Sequence, residues 1–519
     1  MQLDTRPVAA ADLASRLPRG RAVAVAFVSL VAALGAGHLV AGFVGPEASP
    51  FLAVGNWVRD NSPHAVVEWA KDTFGTADKT VLFIGVTVVV LAVTAAAGLL
   101  SRTRPTPGLV VAAVQGVVGF VAVLTRPDLG QLGIAAPAAS MVVGLVVFNW
   151  LHNRAWPVEQ DRDSRRRFLR AGAGAVLGAG AAATIGQLTG NRVDVEASRA
   201  AVGDLTPASP APKLPPNADF PGTARFITDN REFYRIDTAL TLPRVDARDW
   251  RLRIHGLVDR TVEFTFADIR DRRLIERPVT LACVSNEVGG GLISTANWIG
   301  VPLRDLLLEA GVRQGADQLF STSVDGFTAG TPVDALMDPD RGAMLAIGMN
   351  GEPLPQEHGF PARMVVPGLY GYVSATKWVA DMELTTFAGK QGYWIPRGWS
   401  ARGPIKTQSR IDTPRDGFLL GRGPNTIAGT AWAQTIGIRG VAVRVDSGDG
   451  PGEWQPAELS TEVDLNTWRM WRVTVDLRPG EHTIQVRATD NRGHTQTDAE
   501  APPAPDGATG WHTVHVTVD

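Results

Sequence analysis

The sequence predicts a multi-domain chain: an all-α transmembrane N-terminal part, an α+β middle domain and a C-terminal β-sandwich. Three observations predict it. Long apolar runs are confined to the first part of the 519 residues. Beyond them, strand-like segments mix with one amphipathic helix. The last stretch alternates apolar and polar residues between turn clusters, with no helical pattern. At roughly 150 residues per domain the length allows about three folded units.

Four runs, 21–44, 80–100, 108–124 and 130–151, have about the 17–25 residues needed to cross a hydrocarbon core. A fifth, 171–188, is rich in Ala and Gly and only mildly apolar. Arginines set the orientation. Arg6, Arg16, Arg19 and Arg21 precede the first run, Arg102 and Arg104 follow the second, and Arg154, Arg162, Arg165, Arg166, Arg167 and Arg170 follow the fourth. Under the positive-inside rule these segments face the cytoplasm, which places everything after the fifth span outside. The run Ser164-Arg165-Arg166-Arg167-Phe168-Leu169-Arg170 has the pattern of a twin-arginine export signal, here read as an uncleaved anchor. A membrane haem would need paired imidazoles. Of nine histidines only His38 falls inside a run, with His152 at an end and His64 in an outer loop. The spans therefore read as an anchor, and residues 1–190 as the membrane domain.

Residues 191–223 are dense in Pro, Ala and small polar residues, which predicts an extended linker. The middle domain, 224–400, carries strand-like segments at 250–258, 277–284 and 362–368 and a helix at 302–310. The net charge of −2 gives no basic balance for nucleic acid. The chain's one cysteine, Cys283, excludes an internal disulfide, a CxxCH haem attachment and an all-cysteine iron–sulfur cluster. It ends an apolar strand and meets Val288-Gly289-Gly290-Gly291, where missing side chains let something bulky approach the backbone. In 401–519, alternation at 441–446, 471–475 and 511–518, separated by the turn clusters 446–454, 477–482 and 490–494, predicts two packed antiparallel sheets.

The segments "TLACVSNE" and "GMNGEPLPQEHGFPARMVVPGLYGYVSATKWV", with the C-terminal alternation, resemble the sulfite oxidase family of molybdenum enzymes. The resemblance implies a molybdopterin-binding oxidoreductase domain followed by an immunoglobulin-like dimerisation domain. It implies one molybdenum held by a pterin dithiolene, oxo groups and a protein cysteine, which falls at Cys283. A soft, deprotonated thiolate suits such a metal. Asn230, Phe233 and Tyr234 match an N-x-x-F-Y pattern that contacts the cofactor in the bacterial sulfoxide-reductase branch. Asp325 matches an acidic position near the pterin. His358 and Arg363 keep a spacing of five, where an imidazole and a guanidinium hold the pterin and its phosphate. Ser374, Thr376 and Lys377 fall in the segment that closes over the phosphate, for which Arg and Lys are suited donors.

There are departures. The arginine expected five residues after the cysteine is Val288, and the R-N-H sequence becomes Arg235-Ile236-Asp237. Arg235 stays a candidate catalytic cation, with Arg397 and Arg402 as possible replacements, and Tyr393 is the candidate tyrosine beside the metal. An oxyanion such as sulfite needs fixed positive charge, because desolvating it unpaired is costly. The expectation is an extracytoplasmic, membrane-anchored, sulfite-oxidase-like oxidoreductase carrying molybdenum-molybdopterin and neither haem nor iron–sulfur. Its partners would be a small sulfur-oxo substrate, an external cytochrome or quinone-linked electron carrier, membrane lipid and a second copy in a homodimer. A sulfoxide or S-oxide reductase is the second reading; a membrane scaffold with a lapsed cofactor domain is the third.

Overall fold

The computed structural model describes residues 16–63, 66, 69, 70, 73, 74, 77–126, 131–156, 162–190, 193–448 and 450–519. Arg6, His64 and the start of the fourth apolar run at Gly130 lie outside them. The chain divides into two compact units, Met1–Val193 and Asp194–Asp519.

The first unit is helical: α1 (Arg19–Val44), α2 (Pro50–Asn61), α3 (Asp78–Leu100), α4 (Thr106–Leu124), α5 (Ala135–Ala155) and α6 (Arg162–Gly190). All but α2 are long and apolar enough to cross a membrane by length and composition. The segment 164–170 forms the first turns of α6. The Ala/Gly content of α6 has a packing reason: a Cβ at Gly35 on α1 would lie 2.7 Å from the Ala179 carbonyl oxygen, and one at Gly42 would strike Gly186. Small residues let the two backbones meet closely, the usual way to join helices where lipid removes the hydrophobic drive. His38 lies 3.2 Å from both Ser49 Oγ and Gln187 Oε1, while His152 Nε2 donates to the Ser101 carbonyl at 2.7 Å.

The second unit begins where an extended linker was expected. Asp194 caps α7 (Val195–Val202) by accepting the Ala197 N–H at 3.0 Å, and Arg199 on α7 donates to the Leu354 carbonyl at 2.9 Å. Ala208 donates to the Leu274 carbonyl at 2.8 Å, and Val195, Val202, Leu205 and Phe220 are buried. Residues 203–223 carry neither helix nor strand, and these few apolar side chains, scattered among Pro and Ala, tie the segment down.

In the middle region the strands are β1 (Arg251–Gly256), β2 (Val262–Thr265), β3 (Ile275–Ala282), β4 (Ile293–Pro302) and β5 (Gln318–Ser323). They continue with β6 (Thr328–Pro332), β7 (Met344–Met349), β8 (Glu352–Pro353), β9 (Arg363–Val365) and β10 (Val379–Thr385). One sheet runs β2-β1-β10-β5-β6, with β1 and β10 parallel. The other runs β3-β4-β7-β8, with β9 on β7. Helix α8 (Leu303–Ala310) buries Leu303, Leu306, Leu307 and Ala310, the stripe its spacing predicts.

The C-terminal strands are β11 (Gln408–Thr413), β12 (Phe418–Leu420), β13 (Gly423–Trp432), β14 (Ile438–Asp446) and β15 (Gln455–Pro456). After them come β16 (Glu458–Leu459), β17 (Arg469–Leu477), β18 (Gly480–Asp490) and β19 (His512–Val518). They form two sheets, β11-β13-β17-β16 and β12-β19-β18-β14-β15. Ile427, Trp471 and Val475 of the first share one core with Val443, Ile484, Val486, Val514 and Val516 of the second. A second core joins this region to the middle one, uniting Phe226, Ala282 and Tyr370 with Trp432, Trp468 and Met470. Trp468 Nε1 donates to the Phe226 carbonyl at 2.9 Å, so the boundary expected near residue 400 separates parts of one compact unit.

Candidate active site

Cys283 follows the buried strand β3, whose last residue Ala282 pairs with Ile293 of β4. The loop between them closes on itself. Cys283 N–H donates to the Leu292 carbonyl at 2.9 Å, and Leu292 N–H donates to Asn286 Oδ1 at 2.7 Å. What approaches the glycine turn is protein. Gly289, at φ +78°, has no room for a Cβ because the His512 ring lies against it, and Arg410 donates to the Gly290 carbonyl at 2.8 Å. His512 in turn accepts the Ile411 N–H at 2.9 Å through Nδ1.

Tyr234 is held beside β4 by its own N–H on Ser294 Oγ, 3.2 Å. A Cβ at Gly371, first residue of α9 (Gly371–Ser374), would lie 3.9 Å from both the Tyr234 hydroxyl and the Ala282 carbonyl. The Tyr234 hydroxyl thus reaches the end of β3. Burial and the neighbouring Cys283 push its pKa far above the ordinary tyrosine range, and Arg363 opposes them, so it stays protonated. Phe233 stacks on Tyr234 at 5.3 Å and meets the edges of Trp298 and His358 at 5.6 and 5.4 Å.

His358 is 2% exposed, and its Nε2 lies 2.8 Å from the Asn230 carbonyl. A carbonyl can only accept, so Nε2 carries the hydrogen and Nδ1, buried and without a partner, presents a lone pair. Asn230 is fixed from the other side: its Oδ1 accepts from Asn350 Nδ2 at 2.8 Å and its Nδ2 donates to Glu352 Oε1 at 2.5 Å. Arg363, 3% exposed on β9, donates to the His358 and Ala375 carbonyls at 3.1 and 3.3 Å and lies 4.8 Å over Trp298. Among the described residues no carboxylate reaches it within ion-pair distance. Burial drags Arg363 down to about 10 and Lys377 down to about 8, yet both stay mainly charged at neutral pH. Lys377 Nζ donates to the Glu357 carbonyl at 2.9 Å and to Asp237 Oδ2 at 3.2 Å, while Arg235 Nε reaches the same oxygen at 3.1 Å.

Other expected site residues sit differently. Ser374 and Thr376 are fully buried and spend their hydroxyls inside the fold, on the Tyr370 carbonyl at 2.9 Å and on Ser321 Oγ at 2.8 Å. Asp325 accepts from Ser323 Oγ at 2.5 Å in the β5–β6 turn, beside Val324, whose N–H donates to the Trp378 carbonyl. Tyr393 packs on Phe327 at 5.9 Å under the Arg397 guanidinium, 3.8 Å away, and Arg402 lies over Phe387. Cys283 also influences the ionisation of Tyr370, which is pushed up to about 12 chiefly by burial. Sequence reasoning missed Tyr370, Asp237, Asn350, Arg410 and His512. Tyr370 and Asn350 stand in the quoted 348–379 motif and Asp237 in the quoted Arg235-Ile236-Asp237, whereas Arg410 and His512 come from the C-terminal segments.

Burial also pulls His358 and His512 down to about 4. A histidine with a folded value below its unfolded 6.5 leaves stability intact above pH 6.5, and stability is lost as pH falls toward 4. For His358 the loss is on the order of 3 kcal/mol. The melting temperature should therefore drop on acidification from pH 7 to 4.5, and a flat thermal profile across that window would refute the neutral-imidazole assignment.

Two features here ask for a ligand: a buried guanidinium without a carboxylate, and a buried imidazole nitrogen without a donor. A pterin bearing a phosphate supplies an anion for the first and ring N–H groups for the second, and the free, buried Cys283 offers a sulfur ligand for a soft metal. The residues fit such a group.

The arrangement is that of a molybdopterin-dependent oxidoreductase, and residues 239–394 match the family model described as oxidoreductase molybdopterin binding domain. The chain is 31% identical over 325 residues to sulfite oxidase of Gallus gallus, covering 54% of this chain and 70% of that protein. The chain belongs to the sulfite oxidase family. It is also 31% identical over 348 residues to mitochondrial sulfite oxidase of Homo sapiens, covering 57% of this chain and 62% of that protein. Nitrate reductase [NADH] of Spinacia oleracea is 32% identical over 320 residues, with 50% of this chain and 34% of that one covered. Among solved structures, the sulfane dehydrogenase SoxCD from Paracoccus pantotrophus aligns at 25% identity and TM-score 0.48, over 59% of this chain and 88% of that one.

Proposed function

We propose that this chain is a membrane-anchored, extracytoplasmic molybdenum-cofactor enzyme that transfers one oxygen atom at sulfur. The observation that carries it is the buried, carboxylate-free Arg363 bonded to the carbonyl of His358, whose Nδ1 has no partner, with Tyr234 sensing both Arg363 and Cys283. Arg363 and Lys377 would hold the phosphate, His358 Nδ1 would accept from the pterin, and Cys283 would ligate the metal through its thiolate. When bound, the cofactor supplies two-electron oxygen-atom transfer. The protein supplies position and charge. The protonated Tyr234 hydroxyl holds a proton where it can hydrogen-bond a substrate oxygen, and the loop 288–291, braced by Arg410 and His512, walls off water.

Sulfite oxidation, favoured by the relatives, turns sulfite and water into sulfate, two protons and two electrons, which leave to a cytochrome or quinone-linked carrier. The second reading runs the other way: an S-oxide takes two electrons and two protons and departs as thioether and water. It is favoured by Val288, which puts an apolar side chain where sulfite would want a cation, and by the Arg410–Asp412 ion pair at 2.6 Å. The helical unit would anchor the chain, 164–170 would direct its export, and the C-terminal sheets would join two copies. The test is molybdenum and pterin content of chain purified from a host that makes the cofactor, followed by turnover with sulfite and with methionine sulfoxide. About one molybdenum per chain with oxygen transfer on either compound supports the proposal. No metal, or no turnover of either, overturns it.

A further inference from the structure

We infer that the outer face of the sheet β12-β19-β18-β14-β15 is the docking surface for an acidic electron-carrier protein, whose carboxylates seat on Arg444 and Arg487 between Trp454 and Trp511. The carrier's redox role rests on the oxygen-transfer reading above; the preference for an anionic protein does not.

The pleat sends Val443, Ile484, Val486 and Val514 into the core, so Arg444, Gln485, Arg487 and Thr513 point outward. Trp454 and Trp511 meet edge to face with ring centroids 5.0 Å apart. The Arg444 guanidinium lies 4.8 and 4.9 Å from those centroids, and that of Arg487 lies 4.1 and 5.8 Å from them. Arg444 Nε donates to Gln485 Oε1 at 2.8 Å, Gln485 Nε2 donates to Thr513 Oγ1 at 3.1 Å, and Trp511 Nε1 donates to the Gln496 carbonyl at 2.9 Å. The cluster is thus fixed before a partner arrives, and all four large side chains stay partly exposed. Among the described residues no carboxylate lies within ion-pair distance of either guanidinium. Asp446, two positions along β14 from Arg444, instead accepts the Gly448 N–H at 2.9 Å.

Fixed arginines on a tryptophan platform have the composition of an interface hot spot. The ring contacts occupy the guanidinium faces and leave their N–H edges for carboxylates, which Arg binds through two parallel hydrogen bonds. Such a surface draws an anionic partner and repels a cationic one. Its place names the kind of protein. Trp511 is followed by His512, whose ring lies against Gly289 on the Cys283 loop, so a partner on Trp511 stands one residue from that loop. Sulfite oxidation releases two electrons and S-oxide reduction takes up two. In either direction two one-electron carriers dock in turn, each gaining or giving one electron.

The experiment titrates cytochrome c succinylated on its lysines into the purified full chain by calorimetry at low ionic strength, with unmodified, basic cytochrome c as the charge-reversed control. The succinylated form should bind the parent at least about tenfold more tightly than the basic form. Arg444→Gln/Arg487→Gln should weaken it at least about tenfold. Gln485→Glu, a near-isosteric change that gives Arg444 its own counter-ion, should weaken it at least about threefold. Salt at about 0.3 M should erase the difference between parent and variants. In steady state the double variant should lose at least about tenfold in kcat/KM for succinylated cytochrome c and change by less than about twofold with ferricyanide, which needs no docking surface. Equal binding of the two cytochromes to the parent, or unchanged binding in the double variant, overturns the inference. Unchanged binding in Gln485→Glu does the same if the double variant fails to fold. So does a double variant that sediments as a monomer where the parent is a dimer, since the face would then join two copies. Failure of the oxygen-transfer reading shows separately, as missing molybdenum or missing turnover, because the calorimetry needs neither.

Discussion

Cys283→Ser is expected to lower oxygen-transfer turnover by about a thousandfold or more, about 4 kcal/mol of barrier, with pterin still bound. A serine hydroxyl is harder than a thiol and does not ionise near neutral pH, so it cannot replace a thiolate on a soft, sulfur-rich metal. The pterin contacts lie elsewhere, on His358, Arg363 and Lys377, and the exchange is nearly isosteric at a side chain 9% exposed. Folding should therefore change by no more than about 1 kcal/mol. Turnover per bound pterin is the measurement, and a variant within tenfold of the parent would remove Cys283 from the chemistry.

Arg363→Met should separate cofactor retention from folding. In the parent the guanidinium is buried against two carbonyls and the Trp298 ring, with no carboxylate to balance it. Holding an unpaired charge out of water costs several kcal/mol. Methionine removes that cost and leaves the His358 and Ala375 carbonyls without a donor, about 1–3 kcal/mol each. The two nearly offset, so the unliganded chain should melt within a few degrees of the parent. Pterin content should fall at least about tenfold, or ~1.4 kcal/mol of lost affinity. Full pterin content in the variant would show that the guanidinium serves the fold alone.

The fold was legible where a period or a motif was strong. The apolar runs became helices, the stripe of α8 lies in the core, and the alternation at 441–446, 471–475 and 511–518 became β14, β17 and β19. Within 191–223 the short helix α7 was not legible, because its stability comes from Val195 and Val202 buried against distant segments rather than from local composition. In the site, Phe233 packs between Tyr234 and His358, Arg363 donates to the His358 carbonyl and Lys377 to that of Glu357. Tyr393 packs against Phe327 and under Arg397, and the N-x-x-F-Y segment brings a second tyrosine, Tyr234, within electrostatic reach of Cys283. Arg410 and His512 carry no local signature, since the contacts they make with the Cys283 loop are fixed only when separate stretches meet.

The clasp on the Cys283 loop has a consequence for how this protein could be cut or recombined. Gly290 and Arg410 are 120 positions apart in sequence, yet one holds the other. A fragment ending near residue 400 would keep the whole cofactor motif and lose the brace that shapes its most reactive corner. The C-terminal sheets are therefore no detachable module. A chimera that exchanges them needs to bring Arg410 and His512 along.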